Sequence, residues 1–179
     1  MGRAKLENRK KIGILGGTFD PAHIGHVIIS KEAKKKFKLD QVVWALTKKN
    51  PFKTKSSLSL KDRIKYAKNI NSKNRFIKIG FYEKKIKSNK TIDLIKYFVK
   101  KNNNSKIYFI MGADNLVNFH KWKKSNLIPN LCKILVFDRY GYKAKSLKSP
   151  TFKKYNKKCI NFIKFRKVNI SSSKLRKIW

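Results

Sequence analysis

Acids and histidines are scarce in this chain, and they gather in one place. Two of its three histidines, His23 and His26, fall with Asp20 in the run Gly16-Gly17-Thr18-Phe19-Asp20-Pro21-Ala22-His23-Ile24-Gly25-His26. With only nine Asp plus Glu among 179 residues, that concentration is hard to assign to background. Gly16 and Gly17 close an apolar run, where glycine lets backbone N–H groups approach a phosphate. His23 and His26 are three apart and share one face of a first helical turn. The helix dipole and unpaired N–H groups favour an anion there. An imidazole N–H at that place donates to phosphate oxygens without the long flexible arm of lysine. The pattern is not G-x-G-x-x-G, and it lacks the G-K-[ST] of a P-loop, so neither of those nucleotide motifs is present. No acid or cysteine lies at partner spacing for a His-x-x-His metal site, and none is expected.

These residues need a strand before them and a helix after them, and the rest of the chain supplies that rhythm. Strands are expected at Lys11–Leu15, Gln41–Leu46, Arg75–Ile79, Lys106–Met111 and Lys133–Phe137, with a weaker one at Ile160–Ile163. Helices are expected at Gly25–Phe37, Leu60–Ile70, Ile92–Lys101 and Asn115–Trp122, with a short one from Ser172. Ser59-Leu60-Lys61-Asp62 reads as a capping box with Asp in place of Glu, and Thr91-Ile92-Asp93 as a second cap. Strands alternating with helices predict an α/β fold, a Rossmann-like parallel sheet flanked by helices, in one domain over residues 1–179. Residues 1–10 read as a basic, flexible extension. Thr47–Leu58 and Tyr140–Lys158 read as loops too short to divide domains.

Composition narrows the class further. Lys plus Arg number 47, for a net charge of +38. Such a field attracts polyanions. Yet the cations are overwhelmingly lysine, with arginine only at positions 3, 9, 63, 75, 139, 166 and 176. Bidentate phosphate and base reading favours arginine. The lysines are also spread over every segment beside abundant Asn, Ile and Phe, so a general compositional drift accounts for them. No specific nucleic-acid partner is expected. No apolar run approaches the roughly 18 residues of a spanning helix, and no secretory signal is read at the start. Cys132 and Cys159 have no metal spacing and read as two reduced thiols in a cytoplasmic protein.

Residues 23–26 spell His-Ile-Gly-His, which is also the signature of class I aminoacyl-tRNA synthetases. A chain of this length is not expected to hold an anticodon-binding domain as well. Gly16–His26, Thr91-Ile92-Asp93, Gly112-Ala113-Asp114, Trp122 and Ile170-Ser171-Ser172-Ser173-Lys174-Leu175-Arg176 occur in the order seen in nicotinate-nucleotide adenylyltransferases. From Ile12 to Arg176 the chain resembles that family. The first and last motifs mark the wider nucleotidyltransferase superfamily, and the middle ones point to its pyridine-nucleotide branch.

The resemblance implies attack of a nicotinate mononucleotide phosphate on the α-phosphorus of ATP, with Mg²⁺ accompanying the ATP. It assigns catalysis to His23, His26 and Arg176. ATP would be held by Gly16, Gly17, Thr18, Phe19, Lys53, Ser172 and Ser173. Asp20, Thr91, Asp114, Trp122 and Arg139 would bind nicotinate mononucleotide, with Trp122 stacking on the pyridine ring. Three features depart from the family pattern. Pro51-Phe52-Lys53 lacks a His before the Lys, Lys123 follows Trp122 where an aromatic is common, and the chain ends three residues after Arg176. Contacts made by a longer tail in relatives, oligomer contacts included, are therefore not carried over, and an oligomer stays open. The competing readings are a pantetheine-phosphate adenylyltransferase, a nicotinamide-nucleotide adenylyltransferase and, from another class, a basic nucleic-acid-binding protein.

Overall fold

A computed structural model describes residues 9–48, 57–156, 158–164 and 172–175. Six strands pair into one sheet: β1 (Lys11–Gly17), β2 (Gln41–Leu46), β3 (Ile77–Phe81), β4 (Lys106–Gly112), β5 (Lys133–Phe137) and β6 (Ile160–Ile163). Every pairing is parallel, and the order is β3-β2-β1-β4-β5-β6. This is the doubly wound arrangement, whose order reverses between β1 and β4. All six expected strands are present. The third begins at Ile77 rather than Arg75, because Ile77 N donates to Asn74 O at 2.9 Å and closes a turn there.

Parallel strands are covered on both faces, so they read as nearly unbroken apolar runs. Alternate residues then part to opposite sides. Ile12, Ile14, Val43, Ala45, Phe109 and Met111 face a layer built by α4 (Thr91–Lys101), α5 (Ala113–Val117) and α6 (Ile128–Leu131). Leu15, Val42, Trp44, Leu46 and Ile110 face α1 (Ile24–Phe37) and α2 (Leu60–Ile70). Burying each such side chain is worth about 1.5–3 kcal/mol, so both layers hold the sheet firmly. The buried stripe of α1 is Gly25, Val27, Ser30 and Ala33, small residues that bring the helix close to the strands.

The helices depart from expectation where caps or charges mislead. Ser59 Oγ accepts from Asp62 N at 3.1 Å, so the cap of α2 stands as read. The cap of α4 falls on Lys90, with no side-chain bond, and Thr91 is the first helical residue rather than the cap. Asn115–Trp122 is not one helix. α5 ends at Val117, Asn118 breaks the ladder, Phe119–Lys121 is a 3₁₀ turn, and Trp122 is extended. The break lets Trp122 fold back onto buried Phe119, with ring centroids 5.1 Å apart. Tyr140–Lys158 contains α7 (Lys143–Leu147) and α8 (Pro150–Tyr155), not a plain loop. Ser149 caps α8 and Pro150 occupies its first turn, but the lysines obscure the periodicity. A one-turn helix, α3 (Glu83–Ile86), follows β3, and α9 (Ser172–Leu175) stands where the last short helix was expected. No described helix is long and apolar enough to cross a membrane.

Candidate active site

A cavity of about 470 Å³ opens where β1, β2 and β4 end, at the reversal point of the sheet. Open α/β sheets bind ligands at that place. Its two ends are built from different material.

One end is the turn from β1 into α1. Gly16, Gly17, Thr18, Phe19, His23 and His26 all line it. His23 is the N-cap residue of α1, with extended backbone (φ −147°, ψ 168°). Its N–H donates to His26 Nδ1 at 3.2 Å. A ring nitrogen that accepts carries no proton, so neutral His26 bears its proton on Nε2. That ring is wedged among others: the centroids of His23, Phe19 and Trp44 lie 3.8, 4.8 and 5.7 Å away. Trp44 Nε1 donates to Ser30 Oγ, and Ser30 Oγ donates to His26 O, each at 2.8 Å, so the turn is tied to β2 from below. Phe19 has φ 48°, an unfavourable value for a bulky residue. Stacking on Trp44 at 4.8 Å holds it there.

His23 lines the cavity as an unusually weak base. Burial, and then the nearby Arg139 guanidinium, pull its pKa down to about 4. It is neutral near pH 7, and its Nδ1 is buried with no hydrogen-bond partner among the described residues. Ser172, at the start of α9, donates from Oγ to Pro21 O at 2.9 Å. It too lines the cavity, so the last helix sits against the first turn.

The other end is assembled from α3, α4 and the segment after β4. Thr91, Trp122, Tyr82 and Glu83 line it, together with Lys121 and Lys123. Between the two ends stand Asp114 and Arg139, whose Oδ2 and Nη1 form an ion pair at 2.5 Å. Asp114 Oδ1 is buried without a partner among the described residues. A Cβ at Gly112, the residue before α5, would lie 2.5 Å from Asp114 Oδ1, so a larger residue there would displace that carboxylate. Buried polar atoms left unpaired are rare in folded proteins, and these two, His23 Nδ1 and Asp114 Oδ1, belong to residues that line the same cavity. Burial also raises the pKa of Glu83, against the opposing pull of Lys48 and Arg63.

Of the residues singled out from the sequence, Gly16, Gly17, Thr18, Phe19, His23, His26, Thr91, Asp114, Trp122, Arg139 and Ser172 meet at this cavity. Asp20 does not line it. It is 3% exposed, and its two oxygens accept from Ser57 N (2.8 Å) and Leu58 N (3.0 Å). Ser173 belongs to α9. Lys53 and Arg176 lie outside the described residues, as do residues 1–8 of the basic extension. Sequence reasoning missed Tyr82, Glu83 and Lys121. The rarity of acids was a usable signal for Glu83; nothing marked the other two.

The doubly wound parallel sheet, glycine turn and paired histidines at the reversal point fit the nucleotidyltransferase class that the sequence resembles. The cytidylyltransferase-like family model matches residues 14–178. The chain is 62% identical to a Pelagibacter ubique protein named "Probable nicotinate-nucleotide adenylyltransferase", over 96% of this chain and 95% of that one. It is 36% identical to a protein of the same name in Clostridium novyi, over 93% and 86%. In fold it matches the nicotinic acid mononucleotide adenylyltransferase of Plasmodium falciparum, with a TM-score of 0.74 at 20% identity over 94% of this chain and 83% of that one. The chain belongs to the cytidylyltransferase-like family and, within it, to the nicotinate-nucleotide adenylyltransferases.

Proposed function

We propose that this protein transfers the adenylyl group of Mg-ATP to the phosphate of nicotinate mononucleotide, giving nicotinate adenine dinucleotide and pyrophosphate in the cytoplasm. The observation that carries this reading is the bond from Ser172 Oγ to Pro21 O. It joins the turn of His23 and His26 to a helix start near the other end of the chain, and one cradle for a triphosphate results.

The nucleophile needs no activation. A phosphate monoester is largely dianionic near pH 7, so alignment and charge stabilisation carry the rate. His26 donates from Nε2 to the α-phosphoryl oxygens as negative charge builds on them. His23 holds the triphosphate, supported by backbone N–H groups of Thr18 and Phe19. Ser172 and Ser173 offer α9's first N–H groups to the β- and γ-phosphates, with Lys53 and Arg176 as counter-charges. The described residues hold no cluster of three or more His, Cys, Asp or Glu fit to cage a metal. Mg²⁺ would accompany ATP as part of the substrate and neutralise charge on the departing pyrophosphate. At the far end Trp122 stacks on the pyridine ring, Thr91 binds its carboxylate, Asp114 takes ribose hydroxyls and Arg139 the acceptor phosphate.

Pyrophosphate release tests this directly, with Mg-ATP and each acceptor offered separately. Release with nicotinate mononucleotide is expected. Release only with phosphopantetheine, or only with nicotinamide mononucleotide, would replace the reading.

A further inference from the structure

Arg63 is buried to 2% exposure yet lies outside the cavity lining, and all its recorded hydrogen bonds go to backbone carbonyls. Nη1 donates to Thr18 O at 2.6 Å and Thr47 O at 2.8 Å, Nη2 to Lys48 O at 3.2 Å, and Nε to Leu58 O at 3.2 Å. A guanidinium keeps its charge in proteins, and burying one is costly unless its donors are met. Burial does pull its pKa below the usual arginine value, with Asp20 and Glu83 pulling back. In a chain that uses lysine nearly everywhere, an arginine spent inside needs a reason that an ammonium cannot meet. The reason is geometric: one planar fork reaches carbonyls in three segments at once.

We propose that Arg63 is a positioning residue that aims the phosphate-binding turn at ATP. The inference rests on the adenylyl-transfer reading above. The peptide plane supplies the lever. In a trans peptide the C=O and the following N–H point to opposite sides. Holding Thr18 O toward Arg63, which does not line the cavity, turns Phe19 N–H to the opposite side of that peptide. Thr47 N fixes the preceding peptide by donating to Gly17 O at 2.9 Å, and Thr47 O is itself held by Arg63. Asp20 completes the tie by accepting from Ser57 N and Leu58 N, while Leu58 O accepts from Arg63. A fixed positive charge behind the turn also favours the anion in front of it.

The test is Arg63→Lys, which keeps the charge and loses the fork, read by calorimetric binding of α,β-methylene-ATP and by steady-state kinetics. The proposal expects analogue affinity to weaken by about ten-fold or more, with the KM for the acceptor within about two-fold of wild type. A merely structural arginine would lower the active fraction, and hence kcat, while leaving analogue affinity unchanged in the folded remainder; that result overturns the proposal. Ile134→Val, a core substitution far from the turn, supplies the comparison for stability loss alone. Should Arg63→Lys fail to give a cooperative thermal transition, Asp20→Asn decides. It should weaken the analogue in the same sense by a smaller factor, and a rise in acceptor KM with unchanged analogue affinity would overturn the proposal. Absence of pyrophosphate release by the wild-type enzyme would sink the functional reading instead, and the analogue-binding comparison would still judge Arg63.

Discussion

The two ends of the cavity are held by different means. At the end proposed to hold phosphate, the lining belongs to backbone, or to rings pinned by backbone: His26 is fixed through His23 N–H and Ser30, and Thr18 through Arg63. At the acceptor end the surface is side chain, carried on a one-turn helix, the first turn of α4 and an extended residue after a 3₁₀ turn. A rigid backbone cradle suits a group common to every reaction of a superfamily, the triphosphate. A wall of side chains can be altered without disturbing that cradle, and it suits the part of the reaction that differs between relatives.

If that division holds, substitutions at the two ends should separate cleanly in kinetics. The largest effect is expected for His26→Ala. Turnover should fall by about 10²–10³-fold while the KM for ATP moves only a few-fold, since its donor matters most when charge develops on the α-phosphate. Steady-state rates at saturating substrates check this, and equal losses in binding and rate would break the comparison. Trp122→Ala should leave turnover nearly intact and raise the acceptor KM by about ten-fold, the value of an aromatic stack worth roughly 1–1.5 kcal/mol. Lys123→Ala sharpens the same side. As a cation on the acceptor wall it should raise the KM for nicotinate mononucleotide by about two- to five-fold, an exposed pair being worth under about 1 kcal/mol, and leave the KM for nicotinamide mononucleotide unchanged.

The smallest effect concerns pH. His23 has a folded pKa of about 4 against an ordinary value near 6.5, so the unfolded chain binds more protons between those limits. The stability tied to its neutral form is complete above pH 6.5 and is lost as pH falls toward 4. Thermal melts across that window should show a shallower acid decline for His23→Asn than for wild type. A proton taken up on binding is also expected, because a triphosphate beside His23 favours its charged form. Binding heats measured in buffers of different ionisation enthalpy at pH 5 would reveal it.

The sheet was legible because its strands are buried on both faces and carry few of the lysines that saturate the rest. The phosphate end was legible because glycines and histidines are rare types at fixed spacing. The acceptor end was read only in part. Thr91, Asp114 and Trp122 came from the family resemblance, while Tyr82 and Glu83 sit on a one-turn helix that no periodicity announces. Asp20 was misplaced for an instructive reason. It lies within the phosphate motif, but the turn points it inward to Ser57 and Leu58, so shared sequence did not mean a shared face. Arg63 gave no local sign, since its partners come from three separate segments.

The claim on which everything else depends is a single in-line displacement at the α-phosphorus, made by the acceptor itself and assisted by a donor that forms no bond to phosphorus. ATP made chiral at the α-phosphorus with sulfur tests it. The account predicts inversion of configuration in the dinucleotide product. Retention would mean two displacements through an adenylylated side chain, and would contradict it.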